Sequence, residues 1–376
     1  MLKNLTIKNY KSIKELEIKN LNRINLFVGR NNAGKSNILE AILLFATRFS
    51  NDNIIEILSL RKDIIIDRNI SGRFSASASF ENILSLITSR SKKLMRQCGV
   101  ELKADKETVT LRSFKEEKSQ IDGDTVYKYT PFSATEVDLN NEDVLEKLRI
   151  VIQKDSEEVP NFRTLNLRRW TDDGVLDKRC IYVNCTSRDN KNFETMWNQI
   201  VLSPLKNEVI RALQLIAPEI EDVACIRELG KSEAMPYVRI NEEAIPLHSM
   251  GDGIVHILNI MLAMVNVKDG ILLLDEMENG LHFHTLEQLW EIINALSLQL
   301  NVQVFVTTHS NDCIRAFKEN AREAGSLYSL HRQNDEISYH RFNFRTIDKI
   351  MGSTIDIRDY TNDEKIEDED DSQSIE

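Results

Sequence analysis

GRNNAGKS, from Gly29 to Ser36, decides how the rest of this chain is read. It fits the pattern GxxxxGK[ST] at every defined position. Gly29 and Gly34 let the backbone curl around an anion where a Cβ would clash. Successive N–H groups of Asn32 to Ser36, at the start of a helix, form a nest for phosphate. Asn31, Ala33 and Asn37 complete the candidate binding loop. Lys35 supplies a cation for the β- and γ-phosphates, and Ser36 a hydroxyl for Mg²⁺. The flanks agree. Ile24, Leu26, Phe27 and Val28 form a short apolar run that suits a buried strand. Ile38, Leu39, Ile42, Leu43 and Phe45 follow with helical spacing. Before them, Leu2–Tyr10 and Ile13–Ile18 alternate as two strands.

Three later segments carry matching chemistry. In ILLLDE, Ile271–Glu276, four aliphatics predict a strand buried on both faces. Asp275 then lies at its carboxyl end, where open α/β sheets bind ligands, and can hold the Mg²⁺ water shell. Glu276 is placed to polarise an attacking water. VFVTTHS, Val304–Ser310, is another buried strand with a polar end, and His309 is placed to meet the γ-phosphate or the water. HSMGDG, His248–Gly253, has two readings. Ser249, Gly251 and Gly253 form either a simple turn and N-cap or a second anion nest used in trans by another subunit.

Taken in order, these motifs resemble the ABC-type P-loop ATPases, in the branch that includes RecF, SMC heads and the OLD-like (AAA family) ATPases. The opening NYKSI is similar to a strand of that branch. The resemblance covers about residues 1–50 and 245–345. It implies that Gly29, Asn32, Gly34, Lys35 and Ser36 are the Walker A clamp, and Asp275 and Glu276 the Walker B aspartate and catalytic base. It implies that Lys11 lies near the phosphates, that Asn279 and Gly280 form the D-loop, and that His309 is the switch histidine. Ser249, Gly251 and Gly253 resemble the signature that closes on ATP held by a second subunit, although Met250 and Asp252 depart from LSGGQ. The implied cofactors are ATP and Mg²⁺. The implied assembly is a homodimer or higher homo-oligomer.

Composition narrows the classes further. The net charge is −11, but the stretch after Thr361 alone holds eight acids against Lys365. That tail carries −7 and the other residues only −4, so overall acidity says little about the rest. The tail, 361–376, reads as disordered. No apolar run is long enough to span a bilayer. Five scattered cysteines without a CxxC pair fit reduced thiols. A cytoplasmic protein with no membrane partner is expected.

The expected fold is α/β: an ATPase head with a mostly parallel sheet and an antiparallel β lobe, plus an inserted α/β-helical subdomain. The head is expected from 1–50 and 245–360, and the insertion from 51–244. Within it, Phe74–Phe80 and Lys103–Tyr129 read as strands, 142–152 as a helix or strand, and 192–220 as helical. Val238, Ile240 and Ile245 alternate around a turn. Residues 344–358 read as a helix.

Lys35 and Asp275 lie 240 residues apart without sustained heptads, so no SMC-type coiled-coil arm is expected. Only 67 residues follow His309, too few for the Toprim nuclease of larger relatives. A stand-alone ATPase serving a separately encoded, nuclease-like effector is the expectation, in prokaryotic defence or DNA metabolism. The alternatives are an ATP-gated scaffold or sensor with negligible turnover, and a RecF-type repair ATPase. DNA is a further possible partner. Arg90, Lys92, Lys93 and Arg96 form one basic stretch, and Phe162, Arg163, Arg168, Arg169 and Trp170 another. A solvated face is the plainer reading of both.

Overall fold

A computed structural model describes residues 1–68, 74–76, 78–121, 124–137, 146–155, 157–158, 163–164, 170–171, 177–185, 193–227, 234–321, 325–342, 347 and 356–358. The acidic tail, most of the expected 344–358 helix, and Phe162, Arg168 and Arg169 lie outside these residues.

The first strands follow the alternation of the sequence: β1 (Leu5–Tyr10), β2 (Ile13–Ile18) and β3 (Ile24–Gly29), then helix α1 (Lys35–Ala46). The middle of the chain adds β4 (Val100–Ala104), β5 (Glu107–Ile121), β6 (Asp124–Thr130), β7 (Glu146–Lys154) and β8 (Cys180–Asn184). Helices α2 (Phe193–Ile200) and α3 (Leu205–Leu213) follow. Then come α4 (Asp252–Asn266), β9 (Ile271–Asp275), α5 (Phe283–Gln299), β10 (Gln303–Thr307), α6 (Asn311–Asn320), β11 (Gly325–Gln333) and β12 (Glu336–Phe342).

Two large sheets result. One runs β8-β9-β10-β3-β11-β12, parallel except for the antiparallel edge strand β12. The other is antiparallel, with β7-β5-β4-β1-β2 along its path and β6 paired to β5.

Burial explains the layering. In β3, Ile24, Leu26 and Val28 face one cluster, together with Leu272, Leu274, Val304 and Val306. Phe27, Leu273, Phe305 and Tyr328 face the opposite cluster. Side chains alternate across each strand, so aliphatic runs are buried on both faces of the sheet. The first face packs on α2 through α6. The second packs on α1 and the antiparallel sheet, where the rings of Phe27 and Phe305 stack at 6.4 Å. Fully burying each such side chain contributes about 1.5–3 kcal/mol.

The boundaries expected at residues 50 and 244 do not separate layers. β8, from within 51–244, forms the edge of the parallel sheet beside β9. β1, from the N-terminal segment, pairs with β4 in the antiparallel sheet. Other expectations shift locally. Phe74–Ala76 is a strand, but Phe80 begins a short helix whose cap is Ser79: its Oγ accepts from the Asn82 amide and takes the place of further strand pairing. The ambiguous 142–152 stretch is strand from Glu146 to Lys154.

Among the described residues no helix is long and apolar enough to cross a membrane.

Candidate nucleotide site at the carboxyl edge of the parallel sheet

Strand register brings the motifs together. Asn184 lies opposite Asp275, Leu274 opposite Val306, and Thr307 opposite Phe27, two residues before Gly29. The ends of β3, β9 and β10 therefore share one edge, as ligand sites in open α/β sheets require.

The loop after β3 has the backbone that the glycines predict. Gly29 and Gly34 have φ of 141° and 93°, and Asn32 adopts φ 65°. A Cβ on Gly29 would lie 2.4 Å from the Leu330 carbonyl oxygen, so only glycine lets the loop rest against β11. Lys35 Nζ donates to the carbonyls of Gly29 at 2.8 Å and Arg30 at 3.0 Å, closing the loop on itself. Burial lowers its pKa to about 8, while Asp275, Glu276 and Glu278 pull it back upward. Asn31 and Asn32 are exposed at the rim and Ala33 is buried behind it. Asn37 turns its side chain away: it donates to Ser12 Oγ at 2.7 Å and accepts from Arg61 at 2.8 Å.

Asp275 is held by three hydroxyls. Ser36 Oγ donates to its Oδ1 at 3.1 Å, Thr307 Oγ1 to Oδ1 at 2.5 Å, and Tyr182 OH to Oδ2 at 2.8 Å. Thr307 Oγ1 also accepts the amide of Glu276 at 2.9 Å, fixing the turn out of β9. Glu276 takes φ 56° there, a left-handed conformation unusual for a glutamate and of the kind stored at functional sites. Its carboxylate lies 3.6 Å from His309 Nε2, and the other ring nitrogen, Nδ1, lies 3.4 Å from Lys35 Nζ. Burial, then Asp275 and Glu278, raise the Glu276 pKa, while Lys35 opposes. Burial, then Lys35, lower that of His309. A more basic carboxylate beside a neutral imidazole suits proton acceptance from water. Ser36 and Asp275 offer adjacent hard oxygens, the donor set that Mg²⁺ prefers.

The other expected contributors are Lys11 and the signature. Lys11 Nζ pairs with Glu40 at 2.6 Å, and its side chain is 10% exposed. Glu40 is buried on α1 and also takes Tyr10 OH and Arg61, so its charge holds Lys11 against the helix that begins at the phosphate loop. Ser249 and Gly251 lie on an exposed turn before α4, where Ser249 Oγ donates to the Pro246 carbonyl. Gly251 has φ 106° with open space where a Cβ would stand. α4 begins at Asp252, so Gly253 is in its first turn, and a Cβ there would lie 2.8 Å from the Gly280 carbonyl. The signature and Asn279–Gly280 are thus neighbours on one surface. The turn carrying them is pinned from behind by His256, whose Nε2 is 3.0 Å from the Met277 carbonyl, and by Asn279 donating to the Cys185 carbonyl at 3.2 Å.

Tyr182, Thr307 and Glu278 escaped the sequence reading. Thr307 had the available signal, a polar residue ending an apolar strand beside His309. Tyr182 had none, because CIYVN carries no motif.

Within the first basic stretch Arg96 is structural, while Arg90 and Lys92 are exposed. Arg96 is buried, donates to both oxygens of Glu146 at 3.3 and 3.0 Å, and lies over the Phe132 ring. Arg90 pairs with Asp63 and Lys92 with Glu146.

Comparison with known proteins gives the family. A model of the AAA ATPase domain family matches residues 1–314. An ATP/GTP phosphatase of Helicobacter pylori is 26% identical over 86% of this chain and 89% of its own length. The DNA replication and repair protein RecF of Lactobacillus acidophilus is 33% identical over 25% of this chain and 24% of its own. Among solved structures, the SMC head domain from Thermotoga maritima has 14% identity and a TM-score of 0.43, covering 91% of this chain and 99% of that one. An Smc head bound to the C-terminal winged helix domain of ScpA has 14% identity and a TM-score of 0.48, covering 93% and 99%. With the family match spanning the P-loop, the Asp275–Glu276 pair and His309, this chain belongs to the AAA ATPase domain family.

Proposed function

We propose that this protein hydrolyses ATP with Mg²⁺ and uses the cycle as a switch between separate and paired heads. The observation that carries the reading is the convergence of Lys35, Ser36–Asp275 and Glu276–His309 on one sheet edge. In this reading Gly29 and the Asn31–Asn37 loop hold the phosphates, and Lys35 leaves the Gly29 and Arg30 carbonyls to neutralise them. Ser36 and Asp275 would hold Mg²⁺, which when bound supplies charge neutralisation between the phosphates. Glu276 accepts the proton of the attacking water, and His309 orients it. Ser249, Gly251 and Gly253 form the second anion nest, completing the site of another copy. The exposure of Ser249 and Gly251 in the single chain, together with a Glu276 side chain that is 39% exposed, supports a site closed by a partner. The division into head, insertion and acidic tail is kept as part of this proposal, with Cys180–Asn184 counted in the head whose sheet it joins.

The test is phosphate release from ATP with and without Mg²⁺. Turnover that needs Mg²⁺ is expected, at about 1 s⁻¹ or less without an activating partner. ATP binding with no release would favour the gated-scaffold alternative.

We further assign the output to a separate, nuclease-like effector, from the family resemblance. A tagged chain that recovers no reproducible partner from its native cells would count against this assignment.

A further inference from the structure

We propose that Arg358 is a positioning residue for His309, so that the short segment 356–358 fixes the water-facing side of the site. The inference rests on the hydrolysis reading above and adds a residue that no motif marks. Arg358 Nη1 donates to the His309 carbonyl at 2.6 Å. On the other side of the same residue, the His309 amide donates to Glu278 Oε1 at 2.6 Å. Both backbone groups of His309 are therefore held by charged partners, one from the turn after Asp275 and one from the far end of the chain. Charge-assisted bonds of this kind are the stronger ones.

The clamp is itself anchored. The guanidinium is aimed by Asp356, which takes Nε at 2.8 Å and also Nη2. Ile357 between them is 3% exposed within the helix-side core. Its carbonyl accepts buried Ser329 Oγ, on β11, at 2.8 Å. Arg358 thus projects from a fixed point.

A purely structural role explains this poorly. α6, which starts two residues after His309, is capped by Ser310, whose Oγ accepts the Cys313 amide at 3.3 Å. The strand end is tied by the Thr308 amide to the Phe27 carbonyl at 3.2 Å. Neither needs Arg358. What the clamp sets is the imidazole, which spans Lys35 at 3.4 Å and Glu276 at 3.6 Å. The Arg358 charge also acts on both Lys35 and His309, lowering the pKa of each as a secondary contribution. Groups that orient a catalytic side chain through its backbone affect rate more than binding.

The experiment uses the full chain with Arg358→Ala, Arg358→Lys and Asp356→Asn. It reads steady-state ATP turnover and amide exchange at His309. Arg358→Ala should lower kcat about tenfold with KM changed less than about threefold, and speed His309 amide exchange about tenfold. Arg358→Lys, which keeps a charged donor, should recover most of the loss, and Asp356→Asn should fall between. Arg358→Ala turnover within about twofold of wild type, or a loss carried by KM and not rescued by lysine, overturns the proposal. A wild-type chain without turnover would defeat the hydrolysis reading instead. The amide exchange would then decide the clamp alone: unchanged exchange in Arg358→Ala overturns it, and accelerated exchange supports it.

Discussion

Lys35→Ala is expected to lower ATP turnover by at least about a hundredfold, the usual cost of removing a group that stabilises charge in transfer chemistry. The ammonium is held over the loop by the Gly29 and Arg30 carbonyls, 6% exposed overall. No other cation is seated in that ring among the described contacts. Arg30 is exposed at the rim, and Lys11 is committed to Glu40. The fold should survive, because the α1 core residues Ile38, Leu39, Ile42 and Leu43 are untouched. Phosphate release, with circular dichroism as the folding control, reads the effect. Turnover within about threefold of wild type would show that Lys35 does not serve the phosphates.

Glu276→Gln should separate binding from chemistry. The amide keeps the shape and the left-handed turn but cannot accept a proton. Loss of a general base costs about 10²–10⁴ in kcat. Asp275, Ser36 and Lys35 remain, so ATP binding should change only a few-fold. With hydrolysis blocked, the ATP-bound pair should persist, and sedimentation should show ATP-dependent doubling of mass. Wild-type turnover in this variant would remove Glu276 from the role of base.

Much of this site was legible because its chemistry is local. The GRNNAGKS loop, the aliphatic run before Asp275 and the polar end of β10 each declare themselves within a few residues, and β3, β9 and β10 follow from apolar runs alone. The remainder depends on pairings between distant segments. Tyr182 reaches Asp275 across 93 positions, and Arg358 reaches His309 across 49. No periodicity marks such bonds. β8 looked like part of an insertion because five residues of mixed polarity carry no sign of which sheet they join; parallel pairing with β9 decides it. The partners of Arg96 and Lys11 were equally hidden: each cation pairs with a glutamate, Glu146 or Glu40, whose position only the fold supplies.

In the proposed dimer each working site joins the phosphate loop of one copy to the signature of another. Mixing two inactive variants tests it most directly. Lys35→Ala leaves Ser249 intact, and Ser249→Arg, at an exposed turn, leaves the phosphate loop intact. Each should be inactive alone. In an equal mixture half of the pairs are hybrids, each with one complete site of two, so turnover should return to about a quarter of wild type. Full activity of Ser249→Arg alone, or a mixture no more active than its components, would contradict the shared site.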